Sequence, residues 1–205
     1  MKDFDILIFG DSITYGAYDT KNGGWVNRLK LFLENDKNYY FNIFNLGIPG
    51  NTTINIKERF NYECEQRYNI NSNTIIIFSI GINDSYIINQ KNNVSLTDFK
   101  NNIIDLINMA KIYTKNILFI GLSNVNESQV NPIPWNSNIC YLNKEIFKFD
   151  KELENICTKN NVNYLNVFKL LEMNDLQDGL HPNNIGHKKL YKKILHYIQN
   201  NFLSK

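Results

Sequence analysis

The chain has 205 residues, enough for one well-buried domain and short for two. Its 43% hydrophobic and 20% charged content is that of a water-soluble globular protein. A formal net charge of +2 is too small to argue for nucleic acid or an anionic membrane as partner.

No apolar run approaches a membrane span. The N-terminal Met1-Lys2-Asp3-Phe4-Asp5 leads into only four apolar residues, too few for a signal-peptide core. Cys64, Cys140 and Cys157 have no metal-ligand spacing and read as reduced packing thiols, with the cytoplasm as the expected compartment. Asparagine is used heavily along the whole chain, as a compositional bias rather than a low-complexity tract.

The run Ile6-Leu7-Ile8-Phe9 is a short buried strand that ends at Gly10. After a polar loop, Trp25, Val26, Leu29, Phe32 and Leu33 mark a helix from about Gly24 to Asn35. Phe41 to Leu46 is a second strand, stopped by Gly47-Ile48-Pro49-Gly50. Thr52 to about Tyr68 reads as a helix, with Ile56, Phe60 and Cys64 at four-residue spacing. Thr74 to Ile80 is continuous and β-branched, which predicts a central strand buried on both faces.

A helix from about Ser95 to Tyr113 follows, with Phe99, Ile103, Leu106, Ile107 and Ala110 in one stripe. Ile117 to Ile120 is the fourth strand. The irregular stretch from Ser123 to about Ser137 carries Pro132, Pro134 and Trp135 and has the length of a binding loop. Then come a helix from about Asn138 to Asn160, a strand near Tyr164 to Val167, and a last helix after Pro182 with Leu190, Ile194, Ile198 and Phe202. Lys188, Lys189, Lys192 and Lys193 give that helix a solvated face, on which His187 and His196 are also expected.

This is βα repeated five times. It predicts a single α/β domain over residues 1–205: a three-layer α/β/α sandwich around a five-stranded parallel sheet, strand order 2-1-3-4-5. Eight units would be needed to close a barrel. In this order the switch point, where ligands bind, falls between the first and third strands.

Ser12 stands at that edge, in Gly10-Asp11-Ser12-Ile13-Thr14-Tyr15-Gly16. Taken alone, Asp and Ser before a helix are ordinary caps. Two further loops have glycine at a strand end beside hydrogen-bonding side chains: Asn45-Leu46-Gly47-Ile48-Pro49-Gly50 and Gly81-Ile82-Asn83-Asp84. Each alone reads as a tight turn. A fourth loop, Asp178-Gly179-Leu180-His181-Pro182, sets an acid three residues before a histidine. Such a carboxylate can hold the imidazole Nδ1, fix its tautomer and stabilise the imidazolium.

These four blocks, in this order, resemble the GDSL-type hydrolases of the SGNH superfamily. The blocks are Gly10-Asp11-Ser12 with Thr14 and Gly16, Asn45-x-Gly47-x-x-Gly50-x-Thr52, Gly81-x-Asn83-Asp84, and Asp178-x-x-His181-Pro182. Ile13 stands where the family's name has leucine, at a packing position. The resemblance implies Ser12 as nucleophile, His181 as general base and then acid, and Asp178 as orienting carboxylate. It implies an oxyanion hole made of the backbone N–H groups of Ser12 and Gly47 and the side-chain amide of Asn83.

The expected protein is a serine esterase acting on a small or short-acyl ester, a small-molecule substrate, without cofactor or metal. Trp25 and Trp135, with residues 84–93, are the candidate specificity elements. Ester, thioester, sugar O-acetyl and lysophospholipid substrates stay open. A Gly-x-Ser-x-Gly elbow is missing, since Gly121-Leu122-Ser123-Asn124-Val125 fails at its last position. The alternative is a flavodoxin-like module holding a phosphate at the helix after Gly10. That reading leaves Asn83 and the Asp178–His181 pair unexplained. A catalytically silent relative is disfavoured by the intact set of positions.

Overall fold

A computed structural model describes residues 2–203. Five parallel strands form the sheet: β1 (Lys2–Gly10), β2 (Tyr39–Gly47), β3 (Asn73–Ser79), β4 (Asn116–Ile120) and β5 (Asn163–Leu165). Their hydrogen-bonded order is β2-β1-β3-β4-β5. The helices are α1 (Ser12–Tyr15), α2 (Gly24–Leu33), α3 (Thr53–Glu65), α4 (Ile82–Ser85), α5 (Leu96–Tyr113), α6 (Glu127–Val130), α7 (Asn143–Lys159) and α8 (Asn184–Ile198). Helix α2 packs on α8, while α3, α5 and α7 pack side by side. These are the two helical layers that cover the apolar strands.

The register aligns the strand ends. Gly10 faces Gly47 of β2 on one side and Ser79 of β3 on the other. The loops after the first three strands therefore open at one level, with Ser12 between the other two. Below them Phe9, Phe78 and Phe119 lie side by side on β1, β3 and β4. Phe78 stacks on Phe9 at 5.6 Å and on Phe119 at 4.6 Å, and Phe60 of α3 closes on Phe9 at 4.9 Å. All four rings are fully buried, and such pairs add about 0.5–1.5 kcal/mol each beyond their area.

Two sequence expectations shift. Helix α7 begins at Asn143 rather than near Asn138, because Ile139–Cys140 pairs antiparallel with Ile87–Ile88. With Lys91–Asn92 these residues make a separate three-stranded sheet. The last helix starts after Pro182, as expected, with Asn183 as its cap; the Asn183 side chain accepts from the N–H groups of Ile185 and Gly186. His187 is not a surface residue but fully buried between α8 and α2. Its Nδ1 accepts from the Trp25 N–H at 3.3 Å and its Nε2 donates to the Ala17 carbonyl at 2.9 Å. Burial holds its pKa low, so it stays neutral. His196 is exposed.

All three cysteines are free. Burial pushes the thiols of Cys64 and Cys157 up to about 12. No helix among the described residues is long and apolar enough to cross a membrane.

Candidate active site

Strand β1 stops at Gly10 because the next turn needs close approach. A Cβ on Gly10 would collide with the Thr14 side chain and the Ser79 carbonyl. Asp11 then caps α1, its Oδ1 accepting from the Ile13 N–H at 2.9 Å. Helix α1 is a single turn that ends in Gly16, whose φ of 99° is left-handed. This short turn lifts the Ser12 side chain to the open edge of the sheet.

Across 169 residues of chain, Ser12 Oγ meets His181 Nε2 at 2.9 Å. His181 Nδ1 lies 2.7 Å from Asp178 Oδ2. The other carboxylate oxygen, Oδ1, accepts from the backbone N–H groups of Leu180 at 3.0 Å and His181 at 2.8 Å. The three-residue spacing thus lets one aspartate cap its own turn and grip the imidazole. Half-burial alone would push the Asp178 carboxyl up. The hydrogen bonds and charge of His181 outweigh it and hold the carboxyl below its ordinary 3.8. It is an anion at neutral pH.

Asn83 on α4 faces the same space. Its Nδ2 donates to the Asn51 carbonyl at 3.0 Å, and its Oδ1 accepts from the Tyr141 hydroxyl at 2.8 Å. The Ser12 N–H sits at the start of α1, where helical geometry supplies no partner. Gly47 differs from expectation. Its N–H donates to Asn45 Oδ1 at 3.0 Å, and it packs against the Thr14–Tyr15 backbone so closely that a Cβ would not fit.

Ser12, Asn83 and His181 share a cleft of about 400 Å³ with Pro49, Gly50, Tyr86, Ile133, Trp135, Ile139, Tyr141 and Leu180. That volume is within the range of small-molecule sites. Its ionisable lining groups are His181 and two tyrosines, and burial raises the pKa of both phenols. The Trp135 loop is held by a hydrogen bond from the Ile133 N–H to the Ile139 carbonyl at 2.9 Å. Trp135 itself is 57% exposed. Trp25 is brought elsewhere. At 1% exposure it is a core residue of α2, because its position in the apolar stripe points it at the sheet and α8. Of residues 84–93, Tyr86 reaches the cleft.

Two residues of the site carried no local signal in the sequence. Tyr141 follows the short strand Ile139–Cys140, and Tyr18 lies beside His181 with ring centroids 5.3 Å apart. Two buried acids also flank the site. Burial pushes Asp11 up to about 6 and Asp84 up to about 7. Asp84 accepts from the backbone N–H and the hydroxyl of Thr53, tying α4 to the start of α3.

In this arrangement an imidazole can take the serine proton while a carboxylate stabilises the resulting imidazolium. The Asn83 amide, a neutral hydrogen-bond donor, lines the same cleft. Among the described residues no three His, Cys, Asp or Glu side chains gather closely enough to hold a metal ion.

Residues 8–189 match the model of the GDSL-like lipase/acylhydrolase family. A search of curated protein sequences returned no match. Among solved structures, the chain is similar to a lipase/acylhydrolase from Enterococcus faecalis at 22% identity. The superposition covers 98% of this chain and 96% of that one, with a TM-score of 0.74. It is also similar to an acetylxylan esterase from Geobacillus stearothermophilus, at 20% identity and a TM-score of 0.70 over 95% and 93% of the two chains. Variants of that esterase at a serine, a histidine and an aspartate are described as catalytic mutants.

Proposed function

As the chain belongs to the GDSL-like lipase/acylhydrolase family and is an ester hydrolase, we propose that it works as a serine esterase through Ser12, His181 and Asp178. The observation that carries this reading is the unbroken chain from Ser12 Oγ through the His181 ring to Asp178. In the first step the Ser12 oxygen bonds to the ester carbonyl carbon and its proton passes to His181 Nε2. The tetrahedral oxyanion is met by the Ser12 N–H and the free N–H of Asn83. The imidazolium gives its proton to the departing alcohol, leaving an acyl-enzyme. Water, deprotonated by His181, then releases the acid and restores Ser12.

The substrate is a small or short-acyl ester with an uncharged alcohol part. The cleft lining supports this, because no lysine or arginine is there to meet a phosphate. The acetylxylan esterase among the structural neighbours supports a short acyl group. The cytoplasm remains the proposed compartment, on the three unpaired cysteines. A phosphate-binding module is a poorer account of the same loop. The N-terminus of α1 already carries the Asp11 carboxyl, and an anion there would repel a second.

A fluorophosphonate probe is expected to label Ser12 covalently, and peptide mapping locates the label. Label on another serine, or none on active protein, overturns the mechanism.

A further inference from the structure

The Asn83 amide is pinned at both ends, and the two pins fix its orientation. A backbone carbonyl can only accept, so the NH₂ must face Asn51 and Oδ1 must face Tyr141. The Tyr141 hydroxyl is then the donor. Burial, with the negative charge of Asp11, holds that phenol well above its ordinary value, so it keeps the proton it donates. One N–H of the amide remains for the cleft.

We propose that Tyr141 is a positioning residue for the ester hydrolysis, holding Asn83 with its N–H toward the developing oxyanion. This rests on the reading of Asn83 as an oxyanion donor. Tyr141 is 4% exposed and its backbone N–H donates to the Val130 carbonyl at 2.9 Å. The residue before it, Cys140, pairs with Ile87, two residues past the end of α4. The Asn83 backbone is fixed in the same neighbourhood, its carbonyl accepting from Asn93 Nδ2 at 2.8 Å. Both partners of the Tyr141–Asn83 bond are therefore anchored by residues that flank one small sheet. Donation into Oδ1 also polarises the amide, which makes its other end a better donor. Without the hydroxyl, Asn83 is held on one side only, and Oδ1 can turn a lone pair toward the oxyanion.

Tyr141→Phe removes the hydroxyl and keeps the ring. With p-nitrophenyl acetate, kcat is expected to fall about 10-fold while KM stays within about twofold. In an Asn83→Ala background the same change is expected to add nothing. Wild-type kcat for Tyr141→Phe beside an impaired Asn83→Ala overturns the proposal and leaves the oxyanion donor standing. Wild-type kcat for Asn83→Ala overturns both. Additive losses with a raised KM make Tyr141 a substrate contact instead, and overturn it. Should Tyr141→Phe not fold by circular dichroism, 3-fluorotyrosine at position 141 retains a stronger donor. A kcat above wild type that is absent in the Asn83→Ala background then supports the proposal, and an unchanged or lower kcat overturns it.

Discussion

Tyr18 covers one side of the His181 imidazole, with ring centroids 5.3 Å apart, from a backbone φ of 65° that few side chains adopt. Its neighbours hold it there. The Ala17 carbonyl accepts from His187, and Asp19 is paired with Arg28 at 2.9 Å. The charge of Asp178, aided by burial, keeps the Tyr18 phenol above its ordinary 10.0. Asp178→Asn is expected to lower the pH at which Tyr18 ionises, as followed by site-specific NMR labelling. An unmoved titration means the phenol does not sense that carboxylate.

The same substitution tests the carboxylate's role. Asparagine keeps an oxygen to accept from the Leu180 and His181 backbone, so the turn survives. Its NH₂ must then face Nδ1, which forces the imidazole into the wrong tautomer. A loss in kcat of about 10⁴ is expected, the size seen in the serine-protease template. A folded Asp178→Asn protein with wild-type kcat removes Asp178 from the mechanism.

The two tryptophans are expected to behave in opposite ways. Trp135→Ala, at the cleft rim, raises KM with kcat and thermal stability nearly unchanged. Trp25→Ala opens a hole in the core and lowers stability by about 3–5 kcal/mol. Urea unfolding with steady-state kinetics on both variants separates the effects; a large stability loss from Trp135→Ala contradicts its assignment as a rim residue.

Stability is expected to fall as pH rises from about 4 to about 7. Burial raises Asp84 to about 7 and Asp11 to about 6 from an ordinary 3.8, although Thr53 and Ile13 partly offset it. In that window the native state keeps protons that the unfolded chain has released, so the stabilisation is complete below the ordinary value and is lost through the raised ones. Asp178 has the opposite sign: its lowered pKa stabilises above the ordinary range and is lost on acidification through its folded value. Asp84→Asn, neutral throughout, is expected to flatten the decline in Tm between about pH 4 and about pH 7. An unaltered slope shows that Asp84 is not its source.

The sheet was legible in the sequence because its cues are local. Ile75, Ile76 and Ile77 announce a buried strand without any neighbour, and Gly10 and Gly47 mark the ends of β1 and β2. The Asp178–His181 pair was legible for the same reason, as both groups lie in one turn. His187 was hidden by the lysines around it, yet it lies on the stripe of Leu190, Ile194 and Ile198, which all face inward. Tyr141 could not be read at all. Its partner is 58 residues away, and the strand that positions it is two residues long.

The small sheet of Ile87–Ile88, Lys91–Asn92 and Ile139–Cys140 joins the segment after α4 to the segment that carries Trp135. Anyone redesigning this protein for a bulkier alcohol inherits that splice. The stretch between Ile133 and Ile139 can be lengthened or exchanged as a cassette, because its ends are already clasped. An exchange that runs on through Cys140 disturbs the mount of the Asn83 amide, so selectivity and turnover can be engineered apart only on the near side of that residue.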